Sequence, residues 1–187
     1  VTARDHDDEA ALIRAARGGD REAFERLIAA YHPRAYGYAL RQTGDPHTAE
    51  DICQEALLKA FLFLASYDDR WAFSTWLFRI VHNTFLDHLR RHRARVREAP
   101  LADGPEPPEA TAEAMRAFSE RLRADDREEW LLAGLARLPE ELRALVVLRD
   151  LEGFSYEEIA GITGTALGTV KSRLNRARQL LRGHLSA

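Results

Sequence analysis

The stretch from Ser155 to Leu181 leaves few folds open. It reads Ser-Tyr-Glu-Glu-Ile-Ala-Gly-Ile-Thr-Gly, then Thr-Ala-Leu-Gly-Thr-Val-Lys-Ser-Arg-Leu-Asn-Arg-Ala-Arg-Gln-Leu-Leu. The spacing predicts two helices around a glycine turn. Ser155 is placed to cap the first, and Glu158 completes a capping box. Phe154 and Ile159 fall at the two positions of a hydrophobic staple. Gly164 ends this helix, and Thr165 is positioned to cap the next. In the second helix Val170, Leu174, Ala177 and Leu181 form one apolar stripe. Lys171, Ser172, Asn175, Arg176 and Gln179 lie opposite it, with Arg173 and Arg178 on the flanks. Between Ile159 and Ala187 there are five Lys or Arg residues and no acidic ones. A helix-turn-helix with a basic, amide-bearing outer face suits the DNA major groove. A helical hairpin with a solvated basic face is the plainer alternative.

The rest of the chain is also helical by pattern. No sustained alternation marks a strand. Asp7 or Asp8 can cap a helix ending at Gly18-Gly19, and Asp20 caps the next, which Pro33 is expected to interrupt. Gly44-Asp45-Pro46 supplies a stop, a cap and a first-turn proline. The helix that follows, from about His47 to Ala65, is unusually apolar. Ile52, Ala56, Ala60 and Phe63 make one stripe, widened by Leu57 and Phe61. Leu58 and Leu62 fall on the other side, beside Asp51, Gln54 and Glu55. This breadth implies either a sandwiched helix or a face offered to a partner.

Ser66 to Ala72 reads as a loop. A helix capped near Ser74 then runs to about Arg93, with a core stripe of Leu77, Phe78, Val81, Phe85 and Leu89. Trp76, Arg79, Asn83, Asp87 and Arg90 lie on its far side. From Arg79 to Arg97 six arginines face one aspartate. From Glu98 to Trp130 the balance reverses, with ten acidic residues and four arginines. Pro100, Pro105, Pro107 and Pro108 mark this segment as a linker, with room for a short helix over Ala112 to Leu122. Asp125 is placed to cap the next helix and Pro139 to start another. The overall charge of −3 therefore hides two basic modules around an acidic tether. The expected fold is all-α: a helical domain over 1–97, a linker over 98–124 and a helix-turn-helix domain over 125–187.

The lone Cys53 allows no internal disulfide. No apolar run approaches a membrane span, and the acidic N-terminus is unlike a signal peptide, so a cytoplasmic protein without membrane insertion is expected.

Three blocks carry a family resemblance. Ala49-Glu50-Asp51-Ile52-Cys53-Gln54-Glu55-Ala56 resembles the core-binding helix of bacterial RNA polymerase sigma factors. Phe73-Ser74-Thr75-Trp76-Leu77-Phe78-Arg79-Ile80-Val81-His82-Asn83 resembles their promoter-melting helix. Leu138-Pro139, Gly153 to Ala160 and Gly168 to Leu174 resemble their C-terminal domain. The absence of a domain between the modules matches the extracytoplasmic-function group of the sigma-70 family.

The resemblance implies a transcription initiation factor whose partners are core RNA polymerase and promoter DNA. By this resemblance Lys171, Ser172 and Arg176 match the minus-35 readers. Asn175 shares their outward face, and Arg173 and Arg178 suit phosphates. Tyr67, Trp71, Arg79, Asn83 and Arg90 are the candidates for capturing an unpaired base of the minus-10 element. Asp87 is expected to pair with Arg90 or Arg91 instead. Asp51, Gln54, Glu55 and Leu58 match the surface that grips polymerase. The group is usually held off by an anti-sigma factor, which adds a further expected partner.

Two other classes compete. An ordinary helix-turn-helix repressor explains Ser155 to Leu181 but gives no purpose to the Arg79 to Arg97 helix or the Asp51 face. An enzyme is disfavoured. His88 and His92 have a zinc-ligand spacing but lie among arginines without a Glu-x-x-His context. No catalytic residue, metal or cofactor is expected.

Overall fold

A computed structural model of the chain describes residues 3–98 and 133–185. The expected linker helix at 112–122 and the Asp125 cap lie outside those residues. Helices α1 (Ala3–Arg17), α2 (Arg21–Thr43), α3 (Pro46–Phe63) and α4 (Phe73–Glu98) form the N-terminal module. Helices α5 (Glu140–Val146), α6 (Tyr156–Thr163) and α7 (Leu167–Leu185) form the C-terminal one, with a π-helical turn at Val147–Leu151 after α5. Among the described residues there is no strand.

Most helix ends follow local chemistry. Asp20 accepts from the Ala23 N–H and caps α2, while Gly44 at φ 70° closes it. Asp45 caps α3 through the Thr48 N–H, with Pro46 in the first turn. Ser155 and Glu158 form the complete capping box of α6, which ends on Gly164 at φ 64°.

Four expectations change. Helix α1 begins at Ala3, ahead of Asp7 and Asp8. Pro33 does not interrupt α2. Burial of Leu27, Ile28 and Tyr31 before it and of Ala35, Tyr38 and Leu40 after it offsets the backbone hydrogen bond that proline forfeits. The first turn of α7 hangs from the Ala166 carbonyl, which accepts from Val170 N–H at 3.0 Å, so Ala166 stands where Thr165 was expected. Helix α4 runs to Glu98 rather than Arg93.

The α3 stripe is also rearranged. Ile52, Cys53, Ala56 and Ala60 are buried, but Phe63 is 56% exposed and Phe61 47%. The chain tightens into a 3-10 turn at Leu64–Ser66, which turns Leu64 inward in place of Phe63. Burial pushes the Cys53 thiol up to about 11, as suits an inert packing residue.

Tyr38 and His82 are a buried polar pair on α2 and α4, 2.7 Å apart. Burial lowers the His82 imidazole to about 4. The imidazole is therefore neutral when folded, whereas the unfolded chain binds a proton near pH 6.5. Stability from this group is full above pH 6.5 and is lost as pH falls towards 4. The loss should total about 3 kcal/mol. Urea unfolding at pH 7 and pH 5 should show it, and His82→Gln should flatten the dependence. An equal slope in both proteins would remove His82 as the cause.

The two modules share one hydrophobic cluster. Leu77, Phe78 and Val81 of α4 belong to it with Leu148, Phe154 and Ile159 of the C-terminal module. Phe78 and Phe154 meet edge to face, 4.9 Å between ring centres.

Candidate nucleic-acid and partner interfaces

Helix α7 presents the face that its sequence predicts. Val170, Leu174, Ala177 and Leu181 are buried. Lys171, Ser172, Asn175 and Arg176 are exposed, and Arg173 and Arg178 are intermediate. The flanking arginines have carboxylate partners. Arg173 meets Glu141 at 3.0 Å and Arg178 meets Asp150 at 2.6 Å. These half-exposed pairs contribute about 0–1 kcal/mol each, so a phosphate can displace the carboxylates. Tyr156 sits beneath two further cations, with the Arg149 guanidinium 4.8 Å and the Lys171 ammonium 6.0 Å from its ring centre.

In the N-terminal module Arg79, Asn83 and Arg90 are exposed along one face of α4. Arg90 is tied to Asp87 at 2.7 Å, the expected intrahelical pair. At the foot of this face is a cleft of about 310 Å³, lined by Asp68, Arg70, Trp71, Thr75, Trp76 and Arg79. Its other wall is Gly161 of α6. The two candidate aromatic residues differ here. Trp71 is 45% exposed, whereas Tyr67 is 7% exposed. Tyr67 packs against Phe73 and Trp76, and its hydroxyl donates to the Trp71 carbonyl at 2.7 Å. Tyr67 thus braces the loop, and Trp71 is the ring that can meet a ligand.

On α3, Asp51, Gln54 and Leu58 are exposed and Glu55 is intermediate. Gln54 donates to Glu50. Glu55 is engaged by Lys59 and Arg91, both at 2.8 Å, and those bonds hold its carboxyl below the usual range. Leu58 is 59% exposed and Leu62 64% exposed, so an apolar strip runs beside the acidic one. The broad apolar surface of α3 is therefore only partly sandwiched. The His88–His92 spacing gathers no further ligands: among the described residues no group of three or more His, Cys, Asp or Glu side chains could hold a metal. No described helix is long and apolar enough to cross a membrane.

No local pattern signals the polar seam between the modules. Arg143 looks like a surface charge on an amphipathic helix, yet it is 8% exposed. Its guanidinium donates to the carbonyls of Leu135, Ala136 and Leu138 within its own module, and to the carbonyl of Gln42 on α2 at 2.7 Å. Burial lowers its pKa, and the ring of carbonyls stands in for a carboxylate partner. Glu152 meets Arg34 at 3.0 Å and Arg41 at 3.8 Å, both on α2. Thr75 of α4 donates to Glu158 of α6 at 3.0 Å. Burial works to raise the Glu158 carboxyl, but the bonds from Ser155 and Thr75 outweigh it and hold it below the usual range. The contacts that cross between the modules join residues 83 to 118 positions apart, beyond the reach of any local pattern.

Comparison with known proteins gives a consistent result. The Sigma-70 region 2 family model matches residues 27–95, and the Sigma-70 region 4 model matches residues 128–181. The chain is 40% identical over 173 residues to the ECF RNA polymerase sigma factor SigE of Mycolicibacterium smegmatis, covering 90% of this chain and 65% of that protein. It is 35% identical to the RNA polymerase sigma-H factor of Pseudomonas aeruginosa, covering 91% of this chain and 90% of that one. It is 30% identical to the ECF RNA polymerase sigma factor SigW of Bacillus subtilis, covering 92% and 94%. Among solved structures, the sigma factor RpoE in complex with the anti-sigma factor NepR from Bartonella quintana superposes with a TM-score of 0.69 at 26% identity, covering 88% of this chain and 97% of that one. CnrH in complex with the cytosolic domain of CnrY superposes at 0.66 and 26% identity, covering 96% and 97%.

Proposed function

Since this chain belongs to the sigma-70 family of RNA polymerase sigma factors, in its extracytoplasmic-function group, we propose that its two modules divide promoter recognition between them. The chain is a promoter-specific transcription initiation factor. The C-terminal domain, placed at about residues 125–187, reads the minus-35 element through α7. Lys171, Ser172, Asn175 and Arg176 approach base edges, while Arg173 and Arg178 exchange their carboxylates for phosphates. The N-terminal domain, placed at about residues 1–97, captures a minus-10 base at the Trp71 cleft, with Asn83, Arg79 and Arg90 along the strand's path. The Asp51 face of α3 grips core polymerase.

One observation carries this reading: a helix-turn-helix with Lys171 and Arg176 turned outward shares a chain with an aromatic cleft at the foot of the Arg79–Asn83 face. A duplex-binding repressor uses the first and has no use for the second. The polymerase performs the chemistry, so this chain needs no catalytic residue. It acts in the cytoplasm, where polymerase and promoter are. The RpoE and CnrH structures hold NepR and the CnrY cytosolic domain respectively. An inhibitor of that kind is accordingly a partner proposed here.

The test is promoter binding with and without core enzyme, after selecting a promoter from a library by run-off transcription. Specific binding should require core enzyme. Arg176→Ala should then lower transcription by about 5- to 150-fold and relax preference within the minus-35 element, the loss of one base contact of about 1–3 kcal/mol. Strong specific binding by the chain alone would favour the repressor instead, and an unchanged promoter profile would remove Arg176 from the readers.

A further inference from the structure

None of the residues assigned above to promoter or polymerase lies on α1. That helix is 15 residues long, a length at which an isolated helix is marginal in water. Tertiary packing holds it. Ile13 and Ala16 are buried in the same cluster as Tyr31, Leu64, Tyr67 and Phe73. Tyr67 and Phe73 are the two residues that bracket the loop bearing Trp71, so α1 lies behind the proposed base-capture site.

A continuous set of contacts leads from α1 to that loop. The Tyr31 hydroxyl of α2 donates to the Glu9 carboxylate of α1. Tyr31 is 9% exposed, so leaving its hydroxyl without a partner would be costly. Burial, and after it the bond to Glu9, push the Tyr31 phenol above its ordinary range, which keeps it a donor at neutral pH. The Tyr31 ring props Phe73 edge to face at 5.3 Å, and Phe73 meets Tyr67 in the same way at 5.6 Å. The Tyr67 hydroxyl in turn holds the Trp71 carbonyl. Burial raises the Tyr67 phenol, and the Glu9 charge adds to the rise, so that carboxylate lies near the first ring of the loop as well. A second tie is longer: the Arg17 guanidinium of α1 reaches the Ala65 carbonyl in the 3-10 turn at 3.5 Å.

We propose that α1 is the rear support of the base-capture loop, and that Glu9 is a positioning residue for minus-10 capture, acting through Tyr31 and Phe73 on the placement of Trp71. This rests on the minus-10 reading of the Trp71 cleft. The physical reason is preorganisation. A base leaves the stack only if the ring that receives it is already in place. A ring that must be ordered at that moment returns less binding free energy. Trp71 is 45% exposed, so the packing that fixes it comes from behind the loop. Without the Glu9 acceptor the Tyr31 ring loses its anchor, and Phe73 and the loop lose the surface they rest on.

The test uses the full chain in the holoenzyme, on the promoter selected above with 2-aminopurine at the captured minus-10 position. Glu9→Ala and Tyr31→Phe each break the bond, whereas Glu9→Gln keeps an acceptor for the Tyr31 hydroxyl. The first two should lower base flipping and open-complex formation by about fivefold, the order of one lost buried bond, and Glu9→Gln should stay close to the parent. Combined, Glu9→Ala and Tyr31→Phe should do no more than either alone, because they break the same bond. Core binding and closed-complex affinity should be unchanged. A promoter with a pre-opened minus-10 bubble should recover most of the rate, since the cost of flipping is then already met. A merely structural loss would lower core binding and persist on the bubble. Unchanged flipping in both bond-breaking variants would overturn the role of Glu9, and so would a defect that the bubble does not relieve. An equal defect in Glu9→Gln would overturn the route through Tyr31. Normal melting by a Trp71→Ala, Asn83→Ala double variant would remove the minus-10 reading, and the role of Glu9 with it. Failed melting there, with the Glu9 and Tyr31 variants normal, would overturn the role of Glu9 alone.

Discussion

Replacing Asp51 by arginine should weaken binding to core polymerase by about a hundredfold or more while leaving the fold unchanged. The side chain is exposed on α3 beside Leu58, so its reversal disturbs no core packing. Reversal introduces a like charge wherever the partner presents a cation, at a cost of several kcal/mol. Asp51 is a sharper probe than Glu55. The Glu55 carboxylate is already shared between Lys59 and Arg91, so its substitution would disturb the α3–α4 ion network as well as the outer surface. Circular dichroism should match the parent, and pull-down with core enzyme should fail. Retained pull-down would refute the assignment of this face.

The second large effect is expected in the holoenzyme at the minus-10 element. Trp71→Ala removes the exposed ring of the cleft, and stacking of one base is worth about 1–3 kcal/mol. Asn83→Ala removes an exposed amide from the same face of α4 as Arg79, a comparable loss if it reads a base edge. Combined, the two should lower open-complex formation by about 30-fold or more, with closed-complex binding changed much less. Permanganate footprinting separates the two stages. Normal melting in the double variant would take both residues out of the mechanism. Tyr67→Phe is the informative control. It deletes only the hydroxyl that holds the Trp71 carbonyl and should give a partial defect through loop placement.

Much of the local structure of the candidate site was legible because its signals are local. The α6 capping box, its closing glycine and the α7 stripe all lie within a few residues of one another, and each behaves as local chemistry dictates. The Asp87–Arg90 pair is one helical turn long and was equally readable. The failures are also specific. Pro33 signalled a break that packing on both sides overrode. Phe63 fitted the helical period but lies where the helix gives way to a 3-10 turn, so the phase changed beneath it. Tyr67 and Trp71 look alike as loop aromatics, and only the neighbouring Phe73 and Trp76 rings decide which is buried.

By itself the sequence determined an all-α chain, two basic modules around an acidic segment, the outward face of α7 and the family to which these belong. Each depends on residue periodicity or on caps, which act over a turn or two of helix. Only the tertiary structure decided how the modules meet. Arg143 reaching the Gln42 carbonyl, Glu152 between Arg34 and Arg41, and Trp71 against Gly161 are contacts between distant parts of the chain. Their energies depend on burial and geometry, and a charged residue written in a sequence carries neither.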